Sequence, residues 1–395
     1  MSAPAFRFPA EWEPQSAVLV AWPHAATDWA ARLPEVESSY VALVSAIARF
    51  ETAIVCVADA ALQARASGLL RAAGVPADRV RYVEVEYDDT WLRDSGPITL
   101  VSELARPRNE SRPGPAATST PPVWHPSNPV SLGSVNIDPH TSRPHAPPPV
   151  RYNLLDFRFN AWGDKYASAR DDRLIESLFA KDLFNEAQRD RIDFALEGGA
   201  IETDGDGTLL CTWQCLHARH PDLDRSELSS RLAETLRQRR VLWLDHGALE
   251  GDDTDAHIDT LARFAAPDAI VYQSCDDPDD AHHDALQRMG DELAGLRAFD
   301  GKPYRLFPLP WAKPIVDEGR RLAASYANFL IVNGAVLMPM YGDPADALAA
   351  SVLAKAFPDR LIVAVPCRPL IWQNGSLHCL TMQLPEGLIG AYAND

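Results

Sequence analysis

Apolar residues recur along this chain in two rhythms. Dense apolar or alternating runs, the mark of strands, occur at "SAVLVAW" (16–22), "TAIVCVA" (52–58), "VRYVEVEY" (80–87) and "GPITLV" (96–101). Others follow at "VLWLDH" (241–246), "YRLFPLP" (304–310) and "RLIVAVP" (360–366). Between them, helical spacing predicts helices near 38–49, 60–73, 170–185, 223–239, 279–295 and 344–357, the second stopping at Gly74. Two stretches predict hairpins. One turns at Asp204-Gly205-Asp206-Gly207 and the other at Asn333-Gly334. Strands, often paired, are thus separated by single helices about six times, which is neither strict βαβ alternation nor an all-β pattern. The class predicted is α/β, built from units of mixed sheet plus helix with no sequence repeat of fixed period.

One segment breaks the rhythm. Residues 103–149 hold more than a third of the chain's 32 prolines and show no periodicity. They predict an extended or disordered surface insertion in an otherwise single domain spanning 1–395. The chain carries a net charge of −18, which excludes a nucleic-acid partner that needs a positive face and favours small cations. The N-terminus lacks the basic start and apolar core of a secretion signal, and its longest apolar run, Ala17 to Trp22, is too short to span a bilayer. A soluble, cytoplasmic protein is expected, with no membrane contact. Its six cysteines form no CxxC pair, so they are expected as free thiols, most of them small core residues.

Four polar stretches stand where strands meet turns. They are "YDDTWLRDSGP" with Asp94, "ALEGGAIETDGDG" with Glu197, "TDAHIDTLARF" with His257 and Asp259, and "NGSLHCLTMQLP" with Cys379 in an apolar run of strand character. On a strand, His257 and Asp259 would face the same way, so that the carboxylate would orient the imidazole and favour its charged form. The same spacing also fits a surface strand end. An HxD pair can supply two metal ligands, but further ligands of the right type are not evident, and no metal or other cofactor is expected. Together the four stretches suit a guanidinium: planar, always cationic, and gripped by carboxylates through paired hydrogen bonds. Displacing an amine from its resonance-stabilised carbon calls for a thiolate nucleophile and a general acid.

Six motifs carry a resemblance. "WLRDSGP", "FNAWGDKY", "LEGGAIETDGDGTLLCT", "DAHIDTLARF", "SYANFLIVNGAVLMPMYGDPAD" and "GSLHCLTMQLP" make the chain similar, from about Trp12 to Pro385, to the agmatine deiminase family and to bacterial-type peptidyl-arginine deiminases. The resemblance implies a pentein fold, an α/β propeller of five pseudo-symmetric ββαβ-like modules. It implies hydrolysis of agmatine to N-carbamoylputrescine and ammonia without a cofactor, through a covalent amidino-cysteine. By the same resemblance Cys379 is the nucleophile, His257 the general acid and base, and Asp94 and Asp259 the carboxylates that grip the guanidinium. Glu197 and Asn328 match further substrate-side residues, and a homodimer is implied.

Two departures bear on specificity. The family's glycine run before Asn-Ile-His-Cys is here Asn374-Gly375-Ser376-Leu377-His378-Cys379, and its Thr-Glu-Glu-Cys-Leu-Leu-Asn is here Thr212-Trp213-Gln214-Cys215-Leu216-His217-Ala218. A deiminase of free or peptidyl arginine is therefore the rival reading, with Arg93, Arg151 or Arg158 available for the substrate carboxylate. A non-catalytic guanidino binder is the rival outside the enzyme class.

Overall fold

The structure is a computed structural model that describes residues 5–102 and 151–390; the stretch expected as an insertion, 103–149, lies outside these residues. Among the described residues, strands gather into five mixed sheets of three or four strands and one two-stranded ribbon. One order recurs in all five mixed sheets. Two antiparallel strands are followed, after helical chain, by a strand parallel to the second, because parallel neighbours need a crossover that antiparallel ones do not.

The recurring triplets are Ile98–Ser102, Tyr152–Arg158 and Ala187–Ala195; Glu202–Thr203, Thr208–Thr212 and Arg240–Leu244; Ala262–Ala266, Ala269–Gln273 and Arg305–Leu309; and Leu330–Val332, Ala335–Met340 and Leu361–Pro366. In the fifth, the C-terminal strand Thr381–Pro385 pairs with Gln15–Ala21, and Thr52–Val57 and then Val80–Glu84 add in parallel. The two ends of the chain therefore complete one sheet.

The predicted strands and both hairpins lie where the pattern put them. The two-residue turn at Asn333-Gly334 has Gly334 at φ 76°, which only glycine adopts freely. The helices Leu33–Ala48, Ala60–Ala72, Arg225–Thr235, His283–Gly295 and Ala345–Ala356 match expectation within a few residues, while the one expected at 170–185 shrinks to a helical turn and Leu174–Ala180. Asp59 caps the second, accepting from Leu62 N–H at 2.7 Å, and Asp224 with Glu227 forms a capping box on Arg225–Thr235. No helix among the described residues is long and apolar enough to cross a membrane.

What matters for chemistry is how each sheet begins. The leading strand of every triplet is entered through a short helical or hydrogen-bonded turn: Leu92–Ser95, Gly198–Ala200, Ile258–Thr260, Ser325 to Asn328, and His378–Leu380. Beneath these turns runs a buried charge network. Arg263 donates to Glu202 at 2.7 Å, to Glu11 at 2.9 Å and to the Phe329 carbonyl at 2.7 Å. Arg263 is fully buried, so its removal strands two carboxylates away from water. Arg263→Ala is expected to cost about 3–5 kcal/mol of unfolding free energy, measured by urea denaturation at neutral pH. A loss below about 1 kcal/mol would show that water or rearrangement satisfies the pair.

Candidate active site

The five entry turns carry the residues singled out above: Asp94, Glu197, His257 with Asp259, Asn328, and Cys379. All six are buried, the thiol of Cys379 and the carboxylate of Asp94 at the floor of a cavity of about 650 Å³. Gly199 shows how closely they meet. A Cβ there would lie 2.6 Å from His257 Nδ1, 2.8 Å from Asp94 Oδ1 and 3.2 Å from Asp259 Oδ2. Its neighbour Gly198 backs onto Arg93, where a Cβ would come within 2.1 Å of the carbonyl oxygen. The Gly-Gly pair after Glu197 is thus required by close approach of backbone to side chains.

Two expectations of local structure are corrected. His257 and Asp259 do not sit on a strand. They flank Ile258 in a tight turn, closed by Thr260, whose backbone N–H donates to the His257 carbonyl at 3.3 Å and whose hydroxyl donates to it at 2.9 Å. Likewise Cys379 belongs to the turn His378–Leu380, and the strand starts only at Thr381. Short apolar runs do not distinguish a strand from the turn that launches it.

The geometry forms two halves. On one side, His257 Nδ1 lies 3.7 Å from Asp94 Oδ1, and Nε2 lies 3.9 Å from Glu197 Oε2, so neither nitrogen has a hydrogen-bond partner among the described residues. Asp94 accepts from Gly199 N–H at 2.9 Å and from Trp162 Nε1 at 2.9 Å. Trp162 is aimed by a strained stretch in which Ala161, Trp162 and Asp164 all hold positive φ, 46°, 58° and 63°. On the other side, Cys379 Sγ lies 3.6 Å from Asp259 Oδ2 and 3.2 Å from Asn328 Nδ2. Asn328 also accepts from the backbone N–H of His378 at 2.9 Å. Asn328 therefore fastens the loop that carries Cys379 and does not line the cavity.

Burial and then the charges of Asp259 and Asp94 push the Cys379 thiol well above its ordinary value. Burial likewise raises Asp94, to about 6, against the opposing pull of His257. Burial works against a charged His257, yet Asp94, Cys215 and Glu197 outweigh it and hold the imidazolium. For Glu197, burial would favour the neutral acid, but His257 and the Arg219 guanidinium keep it ionised.

Several residues in the site had no assigned role. His378, beside Cys379, contacts Asp259 Oδ2 at 2.8 Å and Glu11 Oε2 at 2.7 Å. Its ring thus bridges the two carboxylates, while burial and the Arg263 and Arg93 guanidiniums lower the affinity of His378 for a second proton. Glu197 Oε1 accepts from Arg219 at 2.6 Å, and Arg219 also holds Asp255 at 2.6 Å. Cys215, expected as a structural thiol, stands against His257 and Glu197.

Trp91, Phe159, Trp162, Tyr166 and Trp372 wall the cavity, and Asp28, Asp88, Asp89, Asp171 and Asp253 make it acidic. Arg93, Arg151 and Arg158 do not line it. Arg93 turns the other way, donating to Gln383 at 2.7 Å, and Arg158 pairs at the surface with Asp193. The cation in the lining is Arg320, which also bonds Asn374 and the Trp372 carbonyl.

The sequence profile described as Porphyromonas-type peptidyl-arginine deiminase matches residues 7–385. The chain belongs to that family. Among similar solved structures is a Porphyromonas gingivalis chain named "Putative Arginine Deiminase", 42% identical at a TM-score of 0.80, covering 98% of this chain and 100% of that one. An agmatine deiminase of C. jejuni, solved with substrate bound, is 29% identical at a TM-score of 0.78, with 98% of each chain covered. The agmatine deiminase of Pseudomonas putida is 31% identical over 97% of this chain and 96% of that protein.

The space over Gly199 tests the arrangement. Gly199→Ala is expected to leave the protein folded while cutting ammonia release from a guanidino substrate by about 100-fold, since a misplacement near 1 Å costs that much. Unchanged turnover in a variant of native circular dichroism would mean that the His257 and Asp94 groups do not act at this spot.

Proposed function

We propose that this chain is a guanidine deiminase, a hydrolase of amidine C–N bonds, that converts agmatine to N-carbamoylputrescine and ammonia. The observation that carries the reading is an imidazole and two carboxylates meeting over Gly199, with the Cys379 thiol 3.6 Å from Asp259 and facing, with Asp94, a cavity lined by acids and aromatic rings. The recurrence of one strand order in five sheets supports a pentein propeller as the frame, with the five entry turns around its axis and the chain forming one domain.

Asp94 and Asp259 grip the guanidinium by charge-assisted hydrogen bonds, and Asp259 Oδ1 is buried without a partner among the described residues. Burial and then the negative field keep the Cys379 thiol protonated; the arriving cation offsets that field, so that the thiol gives its proton to solvent and the thiolate forms. The thiolate adds to the guanidinium carbon. His257, as imidazolium, protonates the departing nitrogen, and ammonia leaves an amidino-thioether. His257 then takes a proton from water, the hydroxide adds to the same carbon, and collapse expels the thiolate and releases the carbamoyl product. Glu197 holds His257 from behind, itself fixed by Arg219. His378 and Glu11 keep Asp259 turned toward the substrate, and Asn328 positions the thiol.

The acidic lining favours a substrate cationic at both ends over one with a carboxylate. The acids that replace the family's Glu-Glu pair come from elsewhere, because Trp213 and Gln214 lie outside the cavity lining. A second reading, arginine as substrate, is favoured by Arg320 in the lining and by the 42% identity to the Porphyromonas gingivalis chain.

Ammonia release from agmatine, arginine and an arginine peptide separates these readings, and Cys379→Ala is expected to abolish it by at least about 1000-fold. Retained turnover in that variant would refute the nucleophile; release from arginine alone would move the specificity to the second reading. The pH profile follows from Asp94. It must be ionised to hold a guanidinium, and its carboxyl is pushed up to about 6. So kcat/KM should fall about tenfold per pH unit as pH drops below that value. A profile flat down to pH of about 5 would exclude Asp94 as a required anion.

A further inference from the structure

Cys215 takes no part in the chemistry above, yet its sulfur faces the group that does. It sits on the helical turn Trp213–Arg219, and the ligand atoms of Cys215, Glu197 and His257 lie within 4.8 Å of one another. All three residues are nine-tenths or more buried. Glu197 Oε2 and both nitrogens of His257 have no hydrogen-bond partner among the described residues. Because Arg219 occupies Glu197 Oε1 at 2.6 Å, a single carboxylate oxygen remains free. Unpartnered polar atoms at such depth carry a desolvation cost that a ligand would relieve.

We propose that Glu197, Cys215 and His257 form an inhibitory site for Zn²⁺. Thiolate, imidazole and carboxylate are a donor set for this borderline-soft ion, and three protein ligands leave the fourth tetrahedral position to water. Hard ions such as Mg²⁺ and Ca²⁺ prefer all-oxygen shells and are disfavoured by the sulfur. The route is the cavity itself: Asp94 lines it 3.7 Å from His257, and its acidic wall concentrates cations. Arg219 opposes a cation here, but its charge is already balanced by Glu197 and Asp255.

Binding replaces the thiol proton of Cys215 and the extra proton of the His257 imidazolium, and both are released to solvent. Affinity therefore tightens as pH rises. A metal on His257 takes away the proton that the leaving nitrogen requires. The inhibition rests on the deiminase reading; the binding does not.

The test uses Co²⁺ as a visible stand-in for Zn²⁺ on the full chain carrying Cys379→Ser, which removes the nucleophile as a thiolate source. One equivalent should give a thiolate-to-cobalt charge-transfer band and intense tetrahedral d–d absorption, both erased by Zn²⁺. Adding Cys215→Ser should abolish the charge-transfer band, and Glu197→Gln should weaken binding at least tenfold should that serine variant fail to fold. In the chain with Cys379 intact, Zn²⁺ should suppress ammonia release reversibly to a chelator, and Cys215→Ser should raise the half-inhibiting concentration at least tenfold. A band that survives in the Cys215→Ser chain, or the absence of any band, overturns the site. A band in a protein that releases no ammonia from any guanidine upholds the site and refutes the deiminase reading instead.

Discussion

Taking a carboxylate out of water costs several kcal/mol unless a partner replaces the lost solvation, and this protein buries five of them at and beneath its entry turns. Glu11, Asp94, Glu197, Glu202 and Asp259 are all nearly inaccessible, while the buried guanidiniums among their partners are three, Arg93, Arg219 and Arg263. Two histidines, His257 and His378, stand between them. Even so, Asp259 Oδ1 and Glu197 Oε2 have no hydrogen-bond partner among the described residues. In the proposed reaction a planar cation that enters between the carboxylates would supply donors to these atoms and ease ionisation of the adjacent thiol.

The fold delivers this charge density by dividing it. No single element could carry three carboxylates, an imidazole and a thiol without paying for their mutual repulsion locally. Each sheet contributes one entry turn, and the turn places one or two polar groups at the head of an otherwise apolar strand. The strands behind are buried on both faces, as Ala17 to Trp22 illustrate, so they anchor the turns rigidly. Where the turns meet, side chains no longer fit. Gly199 is the residue at the meeting point, and even a methyl group would intrude on His257 and Asp94. Strain in the backbone at Ala161 to Asp164 serves the same end, because it aims the Trp162 N–H at Asp94.

Free lone pairs beside a thiol have a second consequence. The atoms that leave His257 able to gain and lose a proton are the atoms that a thiophilic cation would take. On the proposed roles, acid–base readiness and metal sensitivity would arise from one arrangement, with Cys215 setting the strength of the second.

The hydrophobic rhythm determined most of the strands, the hairpin at Asn333-Gly334 and the long helices, because burial periodicity and turn chemistry are local properties. The motif residues Asp94, Glu197, His257, Asp259 and Cys379 were also legible, since acids, histidine and a thiol stand out against apolar surroundings. What the sequence left undecided was conformation at those points and partnership across the chain. His257 and Asp259 fitted a strand by spacing but fold as a turn, because the backbone of Thr260 closes on His257 and the strand waits until Ala262. Glu11 lies more than 360 residues from His378 in sequence and 2.7 Å from it in space. Cys215 carries no mark that separates it from Cys211. Such pairings follow from the packing of five sheets together, and no local pattern encodes which buried charge a distant arginine or histidine will answer.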